Sequence, residues 1–178
     1  KSALKRAEAY NYKTTLDHKK DKEEYKKHTV YGYSALLKEK KFSENIKKMI
    51  LLHHERIDGS GYPLRTKDIT VENQILALCE LFDELLCGVG CVRMKVHEAV
   101  EYIKVQKDHK FSSEIVEALL QLAAVYPTGT QVLLSDGSIG VVVGQNEGFP
   151  ERPNVRAKDG TILNLLEILN LVIVRVLD

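Results

Sequence analysis

Residues 43–63 read Ser-Glu-Asn-Ile-Lys-Lys-Met-Ile-Leu-Leu-His-His-Glu-Arg-Ile-Asp-Gly-Ser-Gly-Tyr-Pro. Ser43 is a helix N-cap residue type, because its hydroxyl can accept one of the orphan amide protons of a first turn. Behind it, Ile46, Met49, Ile50 and His53 recur at helical spacing on one apolar face. An imidazole is therefore expected to point inward, with His54 about 100° further round. The helix runs straight into a glycine-punctuated turn closed by Tyr62-Pro63. A tandem of histidines at a helix end beside a turn calls for more than packing, since neutral imidazole is a common metal ligand and loops carry function.

Two other positions extend this constellation. In residues 71–86, Asp83 falls at spacings of seven, four and three from Leu76, Cys79 and Leu86, and is expected on the apolar stripe. Burying a bare carboxylate is costly unless it is paired or coordinates a metal; a buried ion pair or a stripe edge open to water is the alternative. In residues 21–37, Tyr25, His28, Gly32, Ala35 and Leu36 make a narrow face between lysines and glutamates. His18, His97 and His109 stand in lysine-rich or polar surroundings and read as solvated.

Residues 53–63, His-His-Glu-Arg-Ile-Asp-Gly-Ser-Gly-Tyr-Pro, match every fixed position of the segment that marks the HD-GYP family of bacterial metal-dependent phosphohydrolases, which the chain resembles. The phrase Leu-Ala-Leu-Cys-Glu-Leu-Phe-Asp at 76–83 also resembles the family helix in which an aspartate binds metal, and the surroundings of His28 resemble the helix that contributes an earlier histidine. The resemblance implies a helical bundle of the HD-domain kind and a phosphodiesterase acting on cyclic di-GMP. It implies two or three divalent ions, iron or manganese, held in part by His28, His53, His54 and Asp83. Asp58, Gly59, Gly61, Tyr62 and Pro63 would shape the neighbouring loop, and Glu55 would either support a ligand or face solvent.

The chain also departs from the family pattern. A His-Asp pair, followed two residues later by Gly-Lys, is expected near residues 4–8, where the chain reads Leu-Lys-Arg-Ala-Glu. Either the motif is replaced here or the chain is a fragment starting after it, which the lack of an initiator methionine favours; the catalytic residues are left unassigned. After Asp83 the family has an Arg-Pro-Tyr-Arg substrate loop, whereas residues 87–93 read Cys-Gly-Val-Gly-Cys-Val-Arg, leaving Arg93 or Lys95 as the phosphate-binding candidate. A degenerate module that senses nucleotides or binds a protein through the Gly-Tyr-Pro loop is the alternative function. A diguanylate cyclase or other signalling partner at that loop, and a homodimer, are the associations the resemblance allows.

Composition bounds the rest. In 178 residues, 26 lysines and arginines balance 25 acidic residues, giving a net charge of +1 and no field for a nucleic acid polymer. No apolar run approaches the roughly 20 residues needed to span a bilayer, and no signal peptide is visible, so a cytoplasmic protein is expected. The three cysteines, at 79, 87 and 91, form no metal-type pair and read as reduced thiols. The apolar period is helical up to residue 124 and becomes strand-like after Tyr126-Pro127. The expected architecture is mainly α, with a helical domain at 1–125 and a small antiparallel β subdomain at 126–178. That subdomain is expected to hold five short strands, with hairpins at Asp136-Gly137 and Asp159-Gly160, and to take no part in the chemistry.

Overall fold

A computed structural model describes residues 19–88 and 91–177, with side chains from Glu23 onward. The expectations placed on residues 4–8 and on His18 lie outside the described residues. Six helices and five strands follow one another among those residues: α1 (Lys19–Lys26), α2 (His28–Leu36), α3 (Glu44–Leu52), α4 (Val71–Cys87), α5 (Val96–Val105), α6 (Ser113–Leu122), β1 (Gln131–Leu134), β2 (Ile139–Gly144), β3 (Asn154–Ala157), β4 (Ile162–Asn164) and β5 (Ile173–Val176). The fold is thus helical with a small antiparallel sheet after it. The chain divides into two compact units between Val116 and Glu117.

Local chemistry sets the helix limits in the first unit. Ser43 caps α3, its hydroxyl accepting from Ile46 N at 3.3 Å. Thr70 does the same for α4 through Asn73 N, and Gly88 ends α4 in the left-handed region at φ 76°, where a residue without Cβ carries no steric penalty. A Cβ on Gly32 would lie 2.9 Å from Ile50 Cγ2, so glycine there lets α2 approach α3. The buried set includes Ala77, Leu78 and Leu85 of α4, Ala99, Val100 and Ile103 of α5, Phe111, and Ile115 and Val116 of α6.

The stripe expected on α4 is corrected. Leu76 and Cys79 are exposed, and so is Asp83; the buried side is Asn73, Ala77, Leu78 and Leu85, about one residue out of phase. Ile75 and Leu76 lie on the wet side while the polar Asn73 is buried, so the apolar stripe alone sets the wrong phase. Ile46, expected to face inward on α3, is also exposed, while Lys47 beside it is buried, its amine donating to Leu37 O and Glu44 Oε1.

In the second unit the strand order is β4-β3-β2-β1-β5, all neighbours antiparallel. Val132, Leu134, Val142, Val155 and Leu165 form a core with exposures of 0–1%. Gly137 and Gly160 take φ of 84° and 91° in the hairpin turns, while Asp136 and Asp159 accept from the amides two residues on. Ile162 is exposed on the edge strand β4.

Candidate metal centre

Three short-range decisions bring the histidines together. Helix α2 starts at His28, whose Nδ1 donates to Tyr25 O in the preceding turn at 2.6 Å. Helix α3 ends at His53, whose Nδ1 donates to Ile50 O at 2.7 Å. His54 follows, only 4% exposed. Their outer nitrogens converge: His28 Nε2 lies 3.0 Å from His53 Nε2 and 3.2 Å from His54 Nε2. Glu80 Oε1, on α4, lies 3.1 Å from His54 Nε2 and 3.6 Å from His53 Nε2. Among the described residues His28, His53, His54 and Glu80 are the group able to share a metal ion, with ligand atoms within 4.8 Å of one another.

The protonation of these rings shows why a cation suits the site. A carbonyl oxygen only accepts, so Nδ1 of His28 and of His53 must carry the proton, and in the neutral ring each Nε2 is then a lone pair. Two lone pairs 3.0 Å apart cannot hydrogen-bond to each other. Protonation would relieve the contact but is opposed. Burial, with His28 and Arg56 nearby, depresses His54 to about 3, and burial and His54 lower His53 although Glu80 pulls it upward. Glu80 is raised by burial, which the histidines and Arg56 only partly offset, and its Oε2 is buried without a partner. A divalent cation gives all four groups a common partner, and separations of 3.0–3.2 Å suit imidazoles sharing one ion with bonds of about 2.0–2.1 Å.

The loop after the histidines folds back on them. Asp58 Oδ1 accepts from Ser60 N at 2.8 Å and holds the turn, and His109, 76% exposed in its side chain, stands 3.5 Å from the other oxygen of Asp58. Gly59 takes φ 79°. A Cβ on Gly61 would overlap Glu55 Cα, His54 O and Arg56 N, so only glycine lets the strands of the loop meet. Tyr62 N donates to His54 O at 3.3 Å, and its ring stacks on His54, centroids 4.5 Å apart and 20° from parallel. The Tyr62-Pro63 bond is cis. Burial pushes the Tyr62 hydroxyl far above its ordinary range, so it stays protonated.

Not every candidate belongs to this cluster. Asp83 is exposed and receives only a 3.5 Å contact from Cys87 Sγ; the carboxylate that reaches the histidines is Glu80, one turn earlier. Arg93 is exposed and its Nε donates to Leu86 O, tying it to the end of α4. A polar run marked the true face: Asn73, Glu80 and Glu84 recur at seven and four residues on the side that also carries Ala77. Glu84 is held by Tyr25 OH at 3.4 Å, and burial and Glu80 raise its pKa, making it a weaker acid than usual.

Comparison with known proteins bears on the same residues. The HD domain family model matches residues 7–115. A cyclic di-GMP phosphodiesterase of Pseudomonas aeruginosa is 30% identical over 109 residues, covering 60% of this chain and 26% of that protein. Another, from Borreliella burgdorferi, is 26% identical over 121 residues, covering 65% of this chain and 32% of that protein. A 3'3'-cGAMP-specific phosphodiesterase of Vibrio cholerae is 35% identical over 78 residues, covering 42% of this chain and 15% of that protein. The match thus spans about a third or less of the length of these relatives. No solved structure matches the chain.

Proposed function

This chain belongs to the HD-domain family, and on that premise we propose that the protein is a metal-dependent phosphodiesterase of the HD-GYP type that hydrolyses cyclic di-GMP. The observation that carries the reading is the convergence of three imidazole Nε2 atoms and the Glu80 carboxylate, close enough to share one ion. The names of the relatives supply the substrate class. His28, His53, His54 and Glu80 would hold the metal, and their nitrogen-and-carboxylate chemistry suits iron or manganese. Two or three ions would occupy the complete site. A bound divalent metal would polarise a phosphoryl oxygen and make a nearby water more acidic.

The chain's own groups prepare that site. The carbonyls of Tyr25 and Ile50 fix the tautomers of His28 and His53, so that Nε2 faces inward before any ligand arrives. Arg56, donating to the carbonyls of His53 and Glu55, places a fixed positive charge beside the cluster, where it would attract the phosphodiester anion. Asp58, Gly59, Gly61 and Pro63 shape the loop that would border the substrate, and the exposed Arg93 would contribute a further cation toward phosphate. Exposed Ser60, Leu64 and Arg65 of the same loop offer the contact for a diguanylate cyclase or another signalling protein, with a homodimer as the second association. Among the described residues no helix is long and apolar enough to cross a membrane; a second messenger as substrate would put this domain in the cytoplasm.

The test is hydrolysis of cyclic di-GMP, with 3'3'-cGAMP as competitor, by protein loaded with Mn(II) or Fe(II), followed by chromatography of the products. Metal-dependent release of a linear dinucleotide or GMP, lost in His54→Ala, is the expected result. Protein that holds stoichiometric metal and turns over neither substrate would overturn the reading.

A further inference from the structure

The most deeply buried charged-type side chain near the site is not a ligand of the cluster. Glu55 is 0% exposed and follows His54 directly, yet it turns away from the histidines. Its Oε1 accepts from Leu64 N at 2.6 Å and Arg65 N at 2.9 Å, across nine and ten residues of chain. Its Oε2 has no protein partner among the described residues. Arg65 sits at φ 55°, a left-handed conformation that a side chain bearing Cβ adopts only against a steric cost. The acceptor at Glu55 is what holds that amide in place. Between the two ends of this clasp, Gly61 lies against Glu55 Cα and Tyr62 N is tied to His54 O. The residue left at the centre is Tyr62, laid flat on the His54 ring, with Lys26 Nζ 5.7 Å from its centroid.

We propose that Glu55 is a positioning residue: its carboxylate clasps the far end of the 61–65 loop, and the loop in turn holds the Tyr62 ring against His54, fixing the imidazole that points Nε2 into the cluster. The inference rests on the reading of that cluster as the metal centre. It assigns the tyrosine of the Gly-Tyr-Pro turn to the protein's own histidine, with one ring face already covered, and gives the buried glutamate a backbone-acceptor task. The aromatic stack holds the plane of the His54 ring, as the Tyr25 and Ile50 carbonyls hold those of His28 and His53, because a side chain whose orientation is unset costs ordering entropy when it binds. A rigid outer support of this kind is typically worth about 10–100-fold in metal affinity.

The separating experiment has two arms, on the full chain. In the metal-free protein at neutral pH, the His54 ring protons are followed by NMR; a stacked tyrosine shifts them upfield, and Tyr62→Leu and Glu55→Ala should both remove that shift. Tyr62→Phe, which keeps the ring, and Glu55→Gln, which keeps an acceptor oxygen for Leu64 N and Arg65 N, should both retain it. In the second arm, Co(II) affinity by chelator competition should fall about 10–100-fold in Tyr62→Leu and Glu55→Ala and stay near wild type in the two conservative variants. Folded Glu55→Ala with the wild-type His54 shift and Co(II) affinity would overturn the proposal, as would Glu55→Gln behaving like Glu55→Ala. The first arm needs neither metal nor substrate, so it decides the positioning role even where wild type proves unable to hydrolyse a cyclic dinucleotide.

Discussion

The sheet after residue 130 and the cluster at the helix ends solve opposite problems. In the sheet, Val132, Leu134, Val142, Val155 and Leu165 are packed apolar on apolar, and the tight turns satisfy their own amides through Asp136 and Asp159. In the helical unit, buried polar atoms are left over: Glu55 Oε2, Asn73 Oδ1 and Glu80 Oε2 have no partner, and all such atoms among the described residues lie there. Unpaired polarity in a low-dielectric interior is costly. Of these, Glu80 Oε2 belongs to a residue of the group able to share a metal ion, and the difference sets a sheet satisfied by its own residues against a helical unit that leaves polar atoms over.

The largest effect that would test this contrast is a cavity in the sheet. Leu165→Ala should lower the stability of that unit by about 2–5 kcal/mol, read from hydrogen exchange at Val142 and Val155, with metal content per folded molecule unchanged. Loss of metal together with the sheet would break the division of labour. A smaller and opposite response is expected from the site. Mn(II) at about 100 times its dissociation constant should protect amides of α3 and α4 by about 2.7 kcal/mol and leave those of the sheet unmoved; equal protection in both units would contradict the assignment.

Acid should separate the two regions by the pH at which each weakens. His54 is depressed from 6.5 to about 3 in the folded site and His53 is lowered as well, so the unfolded chain binds protons there that the folded one refuses. Stability of the metal-free helical unit should therefore rise with pH across roughly 3–6.5 and be lost as pH falls through that window. Glu80, raised by burial, opposes this just above its ordinary value of 4.5, because there the folded state holds the extra proton. In the sheet, hydrogen bonds from Ser138 and from the Thr161 amide lower Asp136 and Asp159 from 3.8. Their support is present above that value and is lost only as pH falls below it. Exchange rates measured from pH 7 to 3 should show the helical amides weakening first; simultaneous loss would remove the His54 account.

The smallest effect is the sharpest for the ligand set. Asp83→Asn, on an exposed side chain, should change stability by no more than about 0.5 kcal/mol and leave metal content at the wild-type level by elemental analysis, whereas Glu80→Gln should reduce it. The reverse pattern would return Asp83 to the site.

Legibility in the sequence followed how local each constraint is. Ser43 and the Asp-Gly turns act within a few residues, and they stand in the structure where residue type alone places them. His28, His53 and His54 were legible as candidates because tandem imidazoles at a helix end are chemically unusual. Asp83 was misplaced because on α4 the polar Asn73, Glu80 and Glu84 are turned toward the interior while Ile75 and Leu76 face water, so an apolar stripe points to the wrong side. Glu55 was equally open to burial or exposure, since its partners, Leu64 N and Arg65 N, are backbone groups that every residue type carries.

By itself, the order of residues determined the helical first part, the stranded second part, the turns and caps, and the presence of a histidine-rich segment beside a glycine-rich turn. Only the tertiary structure decided that Glu80 rather than Asp83 meets the imidazoles, that Tyr62 lies on His54, and that Glu55 clasps the loop. Those outcomes depend on the rotational phase of one helix against another and on hydrogen bonds spanning nine residues or more. Period and propensity carry the first kind of information; only packing in three dimensions selects the second.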